Sequence, residues 1–269
     1  MIPLMMAGQG PLTLYDIIKE RGLLTNLRIC LDAGDIASYD GSSQTWVDRS
    51  SNAYSFFRGA TSGAAADDPT FNGSAGGRRS YFSVDGDDIF RLNQSNPAAV
   101  NDIHKDNAAF TLFALMYPGS TAQVTLSGTN ATSSASTGFW WYRSSSNIPT
   151  FVITKSVSGT PALSVTATTA MTASTWNAIA VSINEAGSSG FFWQNGAYNQ
   201  VSASDTFNAA YATPSAGAAS QTMGIFDAGS GSTPAASGDR IACFALFGEA
   251  LTKAQLDGIW SRLRGRLGL

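Results

Sequence analysis

Cleavage of a glycosidic bond needs two carboxyl groups on either side of it, one protonated and one ionised. The chain has three glutamates, Glu20, Glu185 and Glu249. They fall in separate segments, and no strand-like run carries Glu-x-Asp-x-Glu, the spacing that sets carboxylates on one face. His104 is the only histidine, within Val100-Asn101-Asp102-Ile103-His104-Lys105-Asp106. No Gly-x-Ser-x-Gly elbow supplies a nucleophile for it to activate. No Gly-x-x-x-x-Gly-Lys phosphate loop is present. Cys30 and Cys243 form no short-spaced set with His104 that would hold zinc. These residues predict a protein that is not an enzyme.

Two other groups of residues have chemistry to offer. Asp85-Gly86-Asp87-Asp88 and Asp67-Asp68 cluster hard oxygen donors, the type that calcium takes. Asp-Gly pairs also serve simply as turns with solvated carboxylates. A solvated turn and a calcium site on Asp85, Asp87 and Asp88 both stay open, and no other cofactor is expected. The second group is Phe139-Trp140-Trp141-Tyr142. In a strand, Phe139 and Trp141 point one way and Trp140 and Tyr142 the other. Only one of these sets can face the core. The other packs under a loop, meets a protein partner, or offers a flat ring to a sugar. Trp140 and Tyr142 are the contact candidates, joined by Trp193 beside Asn195-Gly196.

These residues need a frame, and the hydrophobic period supplies one. Pro11 through Gly22 reads as a short helix, with Thr13 as its cap, Asp16 in its first turn and Gly22 as its stop. Leu14, Ile17 and Ile18 share a face, and so short a helix must dock. From residue 27 the period becomes two. Leu27, Ile29 and Leu31 alternate with Arg28, Cys30 and Asp32, as in a half-buried strand. Further strand-like runs include 54–58, 80–85, 89–92, 109–117, 123–126, 138–143 and 150–155. They continue at 163–168, 176–184, 190–194, 221–226 and 240–247. Asn195-Gly196 marks a hairpin. The small-residue stretches 59–77, 127–137, 208–220 and 228–238 read as surface loops. Thr252-Lys253-Ala254-Gln255 is a capping box, Leu251 and Leu256 form its staple, and Leu256, Ile259, Trp260, Leu263 and Leu267 make one apolar stripe. Arg262, Arg264 and Arg266 crowd the end of that helix. They serve either as dipole partners and solubilising charges or as an anion contact.

Composition agrees. Charged residues are 13% of 269 and aromatics 11%, against about 25% charged in an average chain. With net charge −3 and no basic stripe, nucleic acid is not an expected partner. No apolar run reaches the ~20 residues of a membrane helix, so no membrane insertion is expected. The start has no basic, apolar leader of the secretory kind. The reading is all-β: two packed antiparallel sheets, with a short N-terminal helix and a C-terminal helix. Residues 1–26 form a docking arm, 27–250 the sandwich, and 251–269 the packed helix.

A resemblance adds to this. Leu31-Asp32-Ala33-Gly34-Asp35 is followed by Trp46-Val47-Asp48-Arg49-Ser50-Ser51-Asn52, Tyr81-Phe82-Ser83-Val84-Asp85-Gly86-Asp87-Asp88 and Phe110-Thr111-Leu112. Then come Trp176-Asn177-Ala178-Ile179-Ala180-Val181, Trp193-Gln194-Asn195-Gly196, Gly238-Asp239-Arg240-Ile241 and Leu251 to Leu256. This order resembles the laminin-G-like, concanavalin A-like jelly rolls, in particular those of bacteriophage virion proteins. The resemblance implies two curved antiparallel sheets and binding to glycans or proteins more often than catalysis. It places the first and last strands side by side, which brings Cys30 and Cys243 near each other, as buried thiols or as a disulfide. It implies a virion structural protein, a head decoration or a tail component, with other virion proteins as partners and a homo-oligomer as one form. Host-surface glycans are further partners, and Leu14, Ile17 and Ile18 are the expected anchors to the particle. A free-standing carbohydrate-binding adhesion module is the alternative, and a glycosidase ranks behind both.

Overall fold

A computed structural model describes residues 12–105, 107–129, 138–154, 161–199, 222–227 and 235–268. The strands are β1 (Leu27–Asp32), β2 (Thr45–Trp46), β3 (Phe56–Arg58), β4 (Thr70–Asn72), β5 (Tyr81–Ser83), β6 (Phe90–Leu92), β7 (Ala109–Tyr117) and β8 (Val124–Gly128). They continue as β9 (Gly138–Arg143), β10 (Pro149–Thr154), β11 (Pro161–Thr166), β12 (Asn177–Asn184), β13 (Ser189–Gln194), β14 (Ala197–Asn199), β15 (Gly224–Ile225) and β16 (Arg240–Phe247). The helices are α1 (Leu14–Glu20), α2 (Ala98–Asn101) and α3 (Lys253–Leu267). The first sheet runs β14-β13-β12-β7-β16-β5-β4, with β1 also on β16; the second runs β11-β10-β9-β8-β15-β6-β3-β2. The protein is an all-β jelly-roll sandwich of two antiparallel sheets with short helices.

Alternation builds the core between the sheets. On β7, Phe110, Leu112, Ala114 and Met116 point into it, and on β9 Phe139 and Trp141 do so from the other side. Phe113 and Leu115 of β7 point the opposite way, into a second apolar layer. On β16 the alternation shifts by one. Ala242 and Cys243 together oppose Leu115, a bulge that returns Phe244 and Leu246 to the sandwich core.

The second layer lies between the first sheet and two helices. Thr13 and Asp16 form a reciprocal capping box on α1, and Thr252 and Gln255 form another on α3. Leu14, Ile17 and Ile18 are wholly buried there, with Leu256, Ile259 and Leu263 of α3. Ala178, Ala180, Ala242 and Ala245 floor this layer, and their small size leaves room for helices to lie close. Here the structure corrects two expectations. Strand β1 is not half-buried, because Cys30 and Asp32 are covered by helices on the face expected to meet solvent. Leu14, Ile17 and Ile18 are not free to anchor the protein elsewhere, because they are spent on its own sheet.

A charge pair locks this layer. The Arg266 guanidinium donates to both Asp32 carboxylate oxygens at 2.5 and 2.9 Å, with both side chains almost wholly buried. The Leu14 and Gly34 amides add hydrogen bonds to Asp32 at 2.7 and 2.8 Å. Burial works against the Asp32 charge, but Arg266 and these donors outweigh it and hold its carboxyl below the usual carboxylate range. Arg266 is therefore neither a solvated charge nor an open anion contact. Arg262 pairs with Glu20 at 3.5 Å across α1 and α3. A second buried pair, Arg143 with Asp239 at 2.9 and 2.8 Å, ties β9 in one sheet to the entry of β16 in the other.

Helices α1 and α3 and strands β7, β9 and β16 stand where the sequence placed them. Strands β2 and β4 and helix α2 were not expected, and β4 falls inside a stretch read as loop; β14 pairs with β13 across the hairpin turn that Asn195-Gly196 marked. Residues 208–220 and most of 228–238 lie outside the described residues. Cys30 and Cys243 are free, buried thiols on adjacent strands.

Two outcomes follow from the layer under the helices. Arg266→Ala strands the Asp32 charge and lowers stability by about 3–5 kcal/mol in urea unfolding. The Asp32 contribution is complete above its unfolded value near pH ~4 and is lost as pH falls through the lower folded value. Urea midpoints measured from pH 7 down to pH 3 therefore fall more steeply for the wild type than for Asp32→Asn.

Candidate functional site

The outer face of the second sheet has no helix over it among the described residues. Register places Arg91, Gly224, Gly128, Trp140, Val152 and Ser164 in one row across five neighbouring pairings of that sheet. Thr125, Tyr142, Thr150 and Thr166 form the next row. A bulge in β8, where Leu126 and Ser127 together oppose Trp141, keeps both Thr125 and Gly128 aligned with the outward residues of β9. Sequence alternation gave Trp140 and Tyr142 the same face; the bulge was not legible.

Trp140 and Tyr142 stack on each other, ring centroids 3.8 Å apart and planes 19° from parallel. Both are half-buried. The Trp140 indole Nε1 donates to Thr125 Oγ1 at 3.0 Å, which fixes the ring's edge. Phe139 and Trp141, on the other face, are buried in the sandwich core. The stack occupies one face of each ring and leaves the second face outside it. Thr125 and Thr150 flank the stack on the neighbouring strands, and both are buried. This is a small rigid platform of aromatic surface with polar groups at its margin, the composition that binding sites favour.

Two strands away, Gly224 leaves space that Asp227 fills; a Cβ on Gly224 would stand 2.5 Å from the Asp227 Cβ. Asp227 is buried and pairs with Arg91 at 2.7 Å. The platform and a charged pair thus share one face of the sheet. Neither Arg91 nor Asp227 stood out in the sequence, because their meeting depends on the pairing of β6 with β15.

The aspartate cluster sits elsewhere, on the turn between β5 and β6. Asp85, Asp87 and Asp88 bring carboxylate oxygens within 4.8 Å of one another. Asp88 is buried while Asp85 and Asp87 are exposed. Burial, with added repulsion from Asp85, Asp87 and Asp68, pushes the Asp88 carboxyl up to about 6.

Other candidates resolve into structure. Trp193 is wholly buried under α3 and donates from Nε1 to Asp257 at 2.8 Å, so it is not a surface contact. Its place beside the hairpin turn gave no sign of the helix above it. Glu185, in the turn between β12 and β13, is buried and accepts from the Asn107 amide. The three glutamates lie on α1, after β12 and after β16. Asp48 of the Trp46–Asn52 motif accepts from the Cys30, Ser50 and Tyr54 amides at 2.7 to 2.8 Å and organises a turn. Burial raises its carboxyl in spite of those bonds. Tyr81, Tyr117 and Trp176 gather in edge-to-face contacts, and Arg240 lies 4.3 Å over Tyr117 and 5.1 Å over Tyr81. That cage already holds the chain's own cation. A cleft of about 430 Å³ near the end of α3 is lined by Ser74, Arg78, Arg79, Ser80 and Arg266, among others. His104 lies in a short 3₁₀ turn. No helix of the described residues is long and apolar enough to cross a membrane.

No protein-family model matches the sequence, and no curated protein sequence matches it. Solved structures do match the fold. The binding domain of botulinum neurotoxin serotype G aligns with a TM-score of 0.59 at 11% identity, over 88% of this chain and 51% of that one. The binding domain of botulinum neurotoxin DC in complex with SialylT aligns at 0.53 and 11% identity, over 89% of this chain and 52% of that one. A Trypanosoma rangeli sialidase in complex with sialic acid aligns at 0.52 and 11% identity, over 90% of this chain and 33% of that one. The chain spans about half the length of the neurotoxin binding domains and about a third of the sialidase. What is shared at this identity is the sandwich fold.

The two tryptophans separate by experiment. Trp193→Ala opens a cavity under α3 and costs about 3–5 kcal/mol in urea unfolding. Trp140→Ala removes a half-buried ring and costs about 1–2 kcal/mol, leaving a folded protein for binding work.

Proposed function

We propose that this chain is a non-catalytic carbohydrate-binding module whose ligand lies on the outer face of the second sheet. The observation that carries this reading is the stacked Trp140–Tyr142 pair, pinned by Thr125 on a sheet face that no described helix covers. The C–H face of a sugar ring packs on an aromatic ring, and the partly exposed Ser164 and Thr166 lie on the same face of the sheet. The fold match adds support of a general kind, since neurotoxin binding domains and a sialidase in complex with SialylT or sialic acid use the same sandwich. Sialylated oligosaccharides are therefore the first ligands to try. The glycosidase reading gains nothing from the scattered glutamates.

For the setting, we propose display on a bacteriophage particle, as head decoration or tail component. This rests on the order of sequence motifs alone. Its contacts with other virion proteins do not run through Leu14, Ile17 and Ile18, which α1 buries against the first sheet and α3. Antibody raised against this chain should label purified particles; protein found only in the free lysate would refute the setting without touching the binding reading.

The binding reading is tested on a glycan array, followed by calorimetric titration of any oligosaccharide that binds. Trp140→Ala should weaken binding at least about tenfold, a loss of about 1.4 kcal/mol. Absence of binding to every glycan, or full binding by Trp140→Ala, would refute it.

A further inference from the structure

We propose that Asp85, Asp87 and Asp88 hold one calcium ion at the crossover between the two sheets. The turn of residues 84–89 carries the chain from β5 in the first sheet to β6 in the second. It is one of the places where the layers are joined covalently. Three carboxylate oxygens, one from each aspartate, lie within 4.8 Å of one another. Oxygen ligands stand about 2.3–2.6 Å from calcium, so two ligands on one ion can be up to about 5 Å apart. A single ion can therefore touch all three.

The charge balance points the same way. Asp88 is 2% exposed, yet its Oδ1 has no hydrogen-bond partner. Its other oxygen accepts only from the Asp85 amide, at 2.9 Å. Asp68 stands on the adjoining loop, which is held to the turn by Ile89 N–H donating to the Asp67 carbonyl at 3.2 Å. Asp68 Oδ1 is also buried without a hydrogen-bond partner. Among the described residues no lysine or arginine makes an ion pair with Asp68, Asp85, Asp87 or Asp88, although eight ion pairs are formed elsewhere in the protein. An uncompensated buried carboxylate among like charges is costly. A divalent cation removes both the repulsion and the unmet acceptor.

The donor set selects the metal. It is all carboxylate oxygen, with no thiol or imidazole, which disfavours zinc. The ligands come from a turn, and calcium tolerates irregular geometry where magnesium demands a near-ideal octahedron. The ion would act as a staple for the crossover and not as a reagent. It stands apart from the Trp140 platform, so this inference does not depend on the glycan reading.

The test uses the full chain, stripped with chelator and exchanged into metal-free buffer at pH 7.4. Calcium chloride alone is then titrated by calorimetry and by thermal unfolding. The expected result is saturable binding at one site and a rise in midpoint of about 5–10 °C at a hundredfold excess over Kd. Magnesium chloride at equal concentration should give a much smaller rise. Asp87 is exposed and its side chain has no hydrogen bond among the described residues, so Asp87→Asn should fold, with a metal-free midpoint no lower than that of the wild type. It should lose the calcium response, as should Asp85→Asn. No saturable calcium binding, an equal shift with magnesium, or a full calcium response in both variants would overturn the proposal.

Discussion

Burial of both faces of the sheet built on β7 and β16 is the constraint on which the other features depend. One face closes the sandwich through Phe110, Leu112 and Phe244; the other carries Phe113, Leu115 and Trp193 and would be an apolar surface in water. Helices α1 and α3 cover it, and neither could stand alone: α1 is under two turns, and most helix stability comes from packing. The Asp32–Arg266 pair acts within that layer. It contributes little as attraction, because both groups lose water, but it fixes how the end of α3 meets the start of the fold. With one sheet sealed on both sides, the outer face of the other sheet is where the half-buried Trp140 and Tyr142 stand as contact candidates.

That division of labour decides which of the residues that look functional remain candidates. Aromatic residues occur on both sheets. Trp193 lies under a helix with its N–H paired to Asp257, and Trp176 closes a cage around Arg240. Trp140 and Tyr142 have the same chemistry but project from a sheet face that no described helix covers. Position in the layered structure, not residue type, makes them candidates. The carboxylates divide in the same way. Asp32, Asp227 and Asp239 are matched by arginines, while the group around Asp88 is not.

Much of this was legible in the sequence. The runs 109–117, 138–143 and 240–247 were placed as strands within a residue, because each is a short stretch rich in apolar and aromatic residues with turn-forming residues beyond it. The capping boxes at Thr13 and Thr252 marked helix starts because they are local chemistry. What stayed hidden was non-local. The double burial of β1 depends on helices at opposite ends of the chain, so Arg28, Cys30 and Asp32 read as a solvent face. Arg266 read as a dipole partner and solvated charge or as an anion contact, because its partner lies 234 positions away. Strands of two or three residues, such as Thr45–Trp46 and Thr70–Asn72, carry too few alternations to register. At the candidate site, the shared face of Trp140 and Tyr142 was readable from spacing. The stack, the Thr125 bond and the nearby Arg91–Asp227 pair needed the register of β9, β8, β15 and β6.

The central claim is that ligand meets the protein on the outer face of the second sheet while the face under α1 and α3 stays sealed. The most direct measurement follows the indole N–H resonances of Trp140 and Trp193 by heteronuclear NMR during titration with a sialylated oligosaccharide. The account requires a saturable, dose-dependent shift of the Trp140 signal with the Trp193 signal unmoved. A titration that moves Trp193, or that saturates without moving Trp140, would contradict it.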